Sequence, residues 1–176
     1  YAAVARNFNV IIPRATAWVE SIREELASAR RIIVLGYKNN YANALEGALK
    51  LLETLRFGVY GYDVDEFSHG IYNSVDSDTY ILYLASEGEY KHKIATLSRV
   101  LKDITKHQFV ICGDPEGIDT TSRDCVIPFI DDPVFSVMEY ILPTQIISAT
   151  IPYDLGIDPF KASDPNFHSK VKSKVL

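Results

Sequence analysis

Short β-branched runs that stop at a glycine, each followed by a segment of helical period, constrain this 176-residue chain most tightly. Arg31 to Leu35 (RIIVL) ends at Gly36 and leads into Ala44 to Glu53 (ALEGALKLLE). A buried strand reads as a near-continuous apolar run, and a helix as recurrence every three or four residues. The pattern repeats: Phe57 to Tyr62 and Thr79 to Leu84 (TYILYL) read as strands, and Glu89 to Ile104 as an amphipathic helix. Phe109 to Cys112 ends at Gly113, and Cys125 to Phe129 supplies a fifth short strand. Strands that alternate with helices predict an α/β fold, doubly wound, with a mainly parallel five-stranded sheet covered by helices on both faces.

The remaining helices are less sharply bounded. Pro13 suits the first turn of a helix over Arg14 to Ala29, where Ala17, Trp18, Ile22 and Leu26 recur at helical spacing. Pro133 to Tyr153 reads as a long helix that Pro143 either kinks or truly begins. Asp63 to Gly70 reads as an acidic, turn-rich approach to His69. Ligands of open α/β sheets lie beyond the carboxyl ends of the strands, and Gly36 to Tyr41 (GYKNNY) occupies such an end. That segment lacks both GxGxxG and a phosphate-binding P-loop, so no nucleotide cofactor is expected.

Within ALEGALKLLE, Glu46, Lys50 and Glu53 fall at i, i+4 and i+7 and share a narrow arc. Ala44, Leu45, Ala48, Leu51, Leu52 and Leu55 fill much of the rest of the circumference, which predicts a largely buried helix. Its charged stripe then faces water, a partner charge or a cleft. On water it is an ion-paired surface contributing a few tenths of a kcal/mol. In a cleft, Glu53 is a candidate general base and His69, sixteen positions on, a candidate acid.

The run GYKNNYANALEGALKLLETLRF followed by EFSHG resembles the second sugar isomerase (SIS) domain of glucosamine-6-phosphate synthase and of deglycases that split 6-phosphofructosyl-amines. The match is specific over Ile32 to Gly70 and looser through Gly156. Leu52 stands where the family pattern ALEGALKLKE has its second lysine, and Ser68 where a lysine precedes the histidine. The resemblance implies that Glu53 is the base, that Lys50 lies beside it, and that His69 opens the sugar ring of the neighbouring subunit. It also implies a C-terminal tail that folds over the sugar and supplies a lysine. Lys172 with Ser173 is the nearest match, and Lys174 is a competing alignment.

These implications set the expected organisation: residues 1–157 as one SIS domain and 158–176 as the tail closing over the site. Tyr1 and the residues after it read as the middle of a connection, so the chain is expected to be the C-terminal half of a two-SIS-domain enzyme. The Ser/Thr-rich phosphate loop of the family has no counterpart here, so half a site is expected. The substrate implied is a 6-phosphorylated sugar or fructosyl-amine. Gly70-Ile71-Tyr72 and the Asp164 to Val175 tail depart from the synthase and favour deglycase or simple isomerase chemistry. The isomerase half of a glutamine–fructose-6-phosphate aminotransferase and a non-catalytic phosphosugar-binding regulator remain as alternatives.

The formal net charge of −5 gives no basic footprint for nucleic acid, and no apolar run reaches the length of a membrane span. Cys112 and Cys125 fit no metal or redox spacing, so buried free thiols in a reducing cytoplasm, with no metal and no cofactor, are expected. A homo-oligomer with a site shared between subunits completes the reading.

Overall fold

The computed structural model describes residues 1–173. A parallel sheet is built from β1 (Arg31–Gly36), β2 (Gly58–Asp63), β3 (Tyr80–Ala85), β4 (Gln108–Cys112) and β5 (Cys125–Val126). Its order is β2-β1-β3-β4-β5, with every neighbouring pair parallel. Ile32 of β1 lies opposite Val59 on one side and Tyr80 on the other. The chain winds outward from β1 in both directions, so the order reverses between β1 and β3.

One face is covered by α1 (Ala2–Ser21), α2 (Arg23–Ser28), α3 (Asn39–Leu55), α6 (Val137–Tyr140) and α7 (Leu142–Thr150). Their buried Ile11, Trp18, Leu26, Ala48, Leu51, Tyr140 and Ile147 form one core with Ile32, Val34 and Leu82 of the sheet. The other face carries α4 (Val64–His69) and α5 (Lys91–Leu101), whose Val64, Phe67, Ile94 and Leu101 pack on Ile33, Leu35, Ile81 and Tyr83. Alternate strand residues thus feed two cores, as period-two geometry requires. Cys112 and Cys125 are both buried free thiols, but they belong to opposite cores. Burial pushes the Cys112 thiol up to about 12 and raises Cys125 as well.

Two glycines let α3 approach the sheet. A Cβ at Gly36 would lie 2.2 Å from the Asn40 carbonyl oxygen, and one at Gly61 would lie 2.3 Å from that of Ala44. The strand-ending glycine therefore serves close helix–sheet packing rather than ligand approach.

Several boundaries differ from the sequence expectation. Pro13 lies inside α1, on its exposed side, instead of opening a helix. The buried stripe already begins at Val4 and continues through Ile11, Ala15 and Trp18, so packing carries the helix past the missing donor. Ile22 (φ −116°, ψ 14°) then breaks the run into α1 and α2. Asp63 to Gly70 is not merely a turn: the Asp63 side chain accepts from the Asp65 amide at 2.8 Å and caps α4, which buries Val64 and Phe67. Pro143 begins α7 in its first turn, so the long C-terminal helix is really two. β5 stops at Val126, before Pro128, whose nitrogen cannot donate to a ladder.

Candidate functional site

Helix α3 presents the charged stripe outward. The Lys50 ammonium lies 2.9 Å from a Glu53 carboxylate oxygen and 3.8 Å from one of Glu46. The Glu53 hydrogen bond, with the charges of both glutamates, holds Lys50 above the usual lysine value. Glu53 and Glu46 are exposed, and Lys50 is half-buried. The apolar circumference is less buried than expected. Ala44, Ala48, Leu51 and Leu55 enter the core, whereas Leu45, Leu49 and Leu52 stay at the surface. The reason is positional: α3 covers the edge strand β2, and α7 packs along only one of its flanks, through Gly47 against Thr144.

His69 closes the last turn of α4 and is exposed. Its Nδ1 lies 2.7 Å from the Asp65 backbone oxygen. A carbonyl can only accept, so Nδ1 carries the proton and Nε2 is left facing outward to exchange one. Ser68, at the position of the family lysine, turns back to donate to the Val64 carbonyl at 2.8 Å.

Glu53 and His69 stand on helices that cover opposite faces of the sheet, so one chain does not bring them together. Five of the better-formed clefts have neither residue, nor Lys50, in their walls.

The tail begins at the Glu53 end of α3. Arg56, the left-handed cap of α3 at φ 63°, donates from Nη2 to the Lys161 carbonyl at 2.6 Å and to that of Asp158 at 3.4 Å. Beyond it a single turn, α8 (Phe167–Lys170), precedes Lys172 and Ser173, which are both exposed. Lys170 is ion-paired to Asp164 at 2.7 Å, and Ser173 Oγ is 2.8 Å from His168 Nδ1. Among the described residues no ion pair involves Lys172. Lys174 lies outside the described residues.

A further cleft sits where the sheet order reverses. Tyr37, Lys38 and Asn39 after β1, Ser86 to Gly88 after β3, and Asp131, Pro133 and Ser136 enclose about 380 Å³. Asp131 accepts from the Glu87 amide at 2.6 Å, and burial raises its carboxyl above the usual value. The loop is held from beneath by Glu139, fully buried, which accepts from the amides of Ile130 and Asp131 and from Asn7 Nδ2 at 2.7 Å. The sequence reading placed GYKNNY at this strand end but missed Ser86, Glu87 and Asp131. The end of TYILYL was a usable signal for Ser86 and Glu87, whereas Asp131 had none. The Asn40 and Tyr41 amides of α3 already bond to the Tyr37 and Lys38 carbonyls, and the Glu87 and Asp131 carboxylates and Lys38 line the space.

With this geometry in view, comparison with known proteins is direct. A family model described as "SIS domain" matches residues 25–151. Glutamine–fructose-6-phosphate aminotransferase of Streptococcus pyogenes serotype M18 is 24% identical over 155 residues, covering 88% of this chain and 25% of that protein. The Caulobacter vibrioides enzyme of the same name is 31% identical over 144 residues, covering 80% of this chain and 23% of that protein. A candidate phosphosugar isomerase from Clostridium difficile 630 superposes with a TM-score of 0.91 at 33% identity, over 99% of this chain and 48% of its own. The C-terminal domain of glucosamine-fructose-6-phosphate aminotransferase from Francisella tularensis gives 0.76 at 20% identity, over 89% and 45%, a likeness of fold alone. The chain thus spans about a quarter of these curated relatives and about half of the solved ones. With its parallel β2-β1-β3-β4-β5 sheet and a family match over most of its length, the chain belongs to the SIS domain family.

Proposed function

We propose that this SIS domain handles a phosphosugar and contributes the base to an aldose/ketose-type proton transfer on a 6-phosphorylated sugar or amino sugar. The observation that carries the reading is the Lys50–Glu53 pair at 2.9 Å on the exposed face of α3, within the family run ALEGALKLLE. A carboxylate on an exposed helix face is placed to take a proton from a carbon acid brought beside it. Glu53 removes the proton from C1 of a ketose or fructosyl-amine and returns it to C2. His69, with Nε2 outward, protonates the ring oxygen as the cyclic sugar opens, and it comes from the neighbouring subunit of a homo-oligomer. Lys172, with Ser173, reaches the sugar from the 158–176 tail, where an ammonium stabilises the developing enediolate oxygen.

For a fructosyl-amine, removal of the C1 proton gives an enaminol, and protonation at C2 gives a C1 imine. Water then hydrolyses the imine to the aldose phosphate and the free amine. Gly70-Ile71 and the tail sequence favour this deglycase reading or simple isomerisation. The aminotransferase relatives support a second reading, the isomerase half of a glutamine–fructose-6-phosphate aminotransferase.

Assay of the whole protein with a 6-phosphofructosyl-amino acid, and separately with fructose-6-phosphate plus glutamine or ammonia, decides between them. Faster cleavage of the first supports the deglycase reading. Preferential formation of glucosamine-6-phosphate replaces it with the second. Lys172→Ala lowers turnover in the same assay, whereas Lys170→Ala has little effect. Damage from Lys174→Ala instead moves the tail assignment by two residues.

A further inference from the structure

Arg56 ends α3 three residues after Glu53, about 4.5 Å farther along the helix axis. Its backbone lies in the left-handed region at φ 63° and ψ 31°, and its amide donates to the Leu52 carbonyl at 3.1 Å. A helix that ends this way usually has glycine there, because glycine has no Cβ to clash in that conformation. The cap itself gains nothing from an arginine. The side chain is engaged elsewhere: Nη2 donates to the Lys161 carbonyl at 2.6 Å and to the Asp158 carbonyl at 3.4 Å. The turn it grips is built locally, with Asp158 accepting from the Phe160 amide at 3.0 Å and pairing with Lys161 at 3.1 Å. Farther on, the tail bonds within itself, Asp164 to Lys170 and His168 to Ser173. Among the described residues, Arg56 makes the only hydrogen bonds from residues 158–173 to the rest of the chain. Apolar burial offers no substitute, since Phe160 is 89% exposed and Phe167 and Val171 are exposed as well.

We infer that Arg56 is a positioning residue of the sugar site: it hinges the tail at the Glu53 end of α3, so that Lys172 is delivered to the sugar that Glu53 deprotonates. A guanidinium suits the task. Its Nη2 carries two N–H donors, one for each carbonyl, and its charge does not titrate at any working pH. Arg56 acts through the tail and is assigned no contact with the reacting atoms. The inference rests on the proposed roles of Glu53 and Lys172, whereas the grip on the tail stands without them.

Arg56→Gly in the whole protein separates this role from a merely structural one. Glycine suits the left-handed cap, so the denaturation midpoint should stay level or rise. Hydrogen–deuterium exchange, read by mass spectrometry, should quicken about tenfold over residues 158–173, the loss expected when the hydrogen bonds of a charged donor are removed. Turnover of the phosphosugar should fall about tenfold with KM nearly unchanged, because the displaced Lys172 serves the developing enediolate oxygen. Arg56→Gly combined with Lys172→Ala should be no slower than Lys172→Ala alone, since both remove the same contribution. Tail exchange that Arg56→Gly leaves unchanged overturns the inference. Faster exchange with full turnover overturns it too, as do losses that add in the double variant, or turnover lost in step with a lower midpoint. Failure of the Glu53 assignment looks different: Glu53→Gln then stays active, while the tail still loosens in Arg56→Gly.

Discussion

Glu53 and His69 flank the edge strand β2 from opposite sides: α3 carries Glu53 over one face of the sheet, and α4 carries His69 over the other. The fifteen residues between them are spent crossing that edge through β2. A site that uses both groups therefore draws them from two chains.

Subunit sharing predicts complementation. In the whole protein, Glu53→Gln and His69→Ala should each be nearly inactive. A mixed oligomer should recover a fraction of wild-type turnover through hybrid sites that hold both intact groups. A verified hetero-oligomer that recovers nothing would place both residues in a site of one subunit.

The fold was legible because its signals are local. RIIVL, TYILYL and FVIC are apolar runs of strand length, the first and last ending at a glycine, and all three lie where expected. What escaped was set by tertiary packing. Nothing in the first residues marks a helix strongly enough to outweigh Pro13, yet burial of Val4 and Ile11 extends α1 across it. Phe67 gave α4 its buried face, but six residues are too few for periodicity to show. The charged stripe was legible as a stripe. That Leu45, Leu49 and Leu52 beside it stay exposed follows from the position of β2 at the sheet edge, which no local pattern encodes.

Gly61→Ala should destabilise the fold through steric overlap alone. The added methyl would stand 2.3 Å from the Ala44 carbonyl oxygen, which is backbone and cannot swing away. The expected loss is about 1–3 kcal/mol, the cost of forcing extra volume into a packed contact. Chemical denaturation with an unchanged m-value would confirm it. Stability within a few tenths of a kcal/mol of wild type would mean that α3 lies farther from β2.

Asp131→Asn should change how stability depends on pH. Burial raises the Asp131 carboxyl above 3.8, so the folded chain holds this proton more tightly than the unfolded chain does. That contribution is fully present below pH 3.8 and is lost as pH rises through the folded value. The asparagine cannot titrate, so the melting temperature of the variant relative to wild type should rise from acid towards neutral pH. A difference that stays flat across this range would show that Asp131 does not titrate differently in the folded state.

The central claim, that Glu53 moves the proton between C1 and C2, is tested most directly by isotope exchange. The whole protein is incubated in deuterated water with its phosphosugar substrate, and deuterium at C2 of the product is followed by NMR. Wild type should introduce the label. Glu53→Gln should bind the sugar with nearly unchanged affinity yet exchange it about 100-fold more slowly or worse, the cost of a lost general base. Exchange within a few-fold of wild type would contradict the assignment and leave the Lys50–Glu53 pair as a surface ion pair on α3.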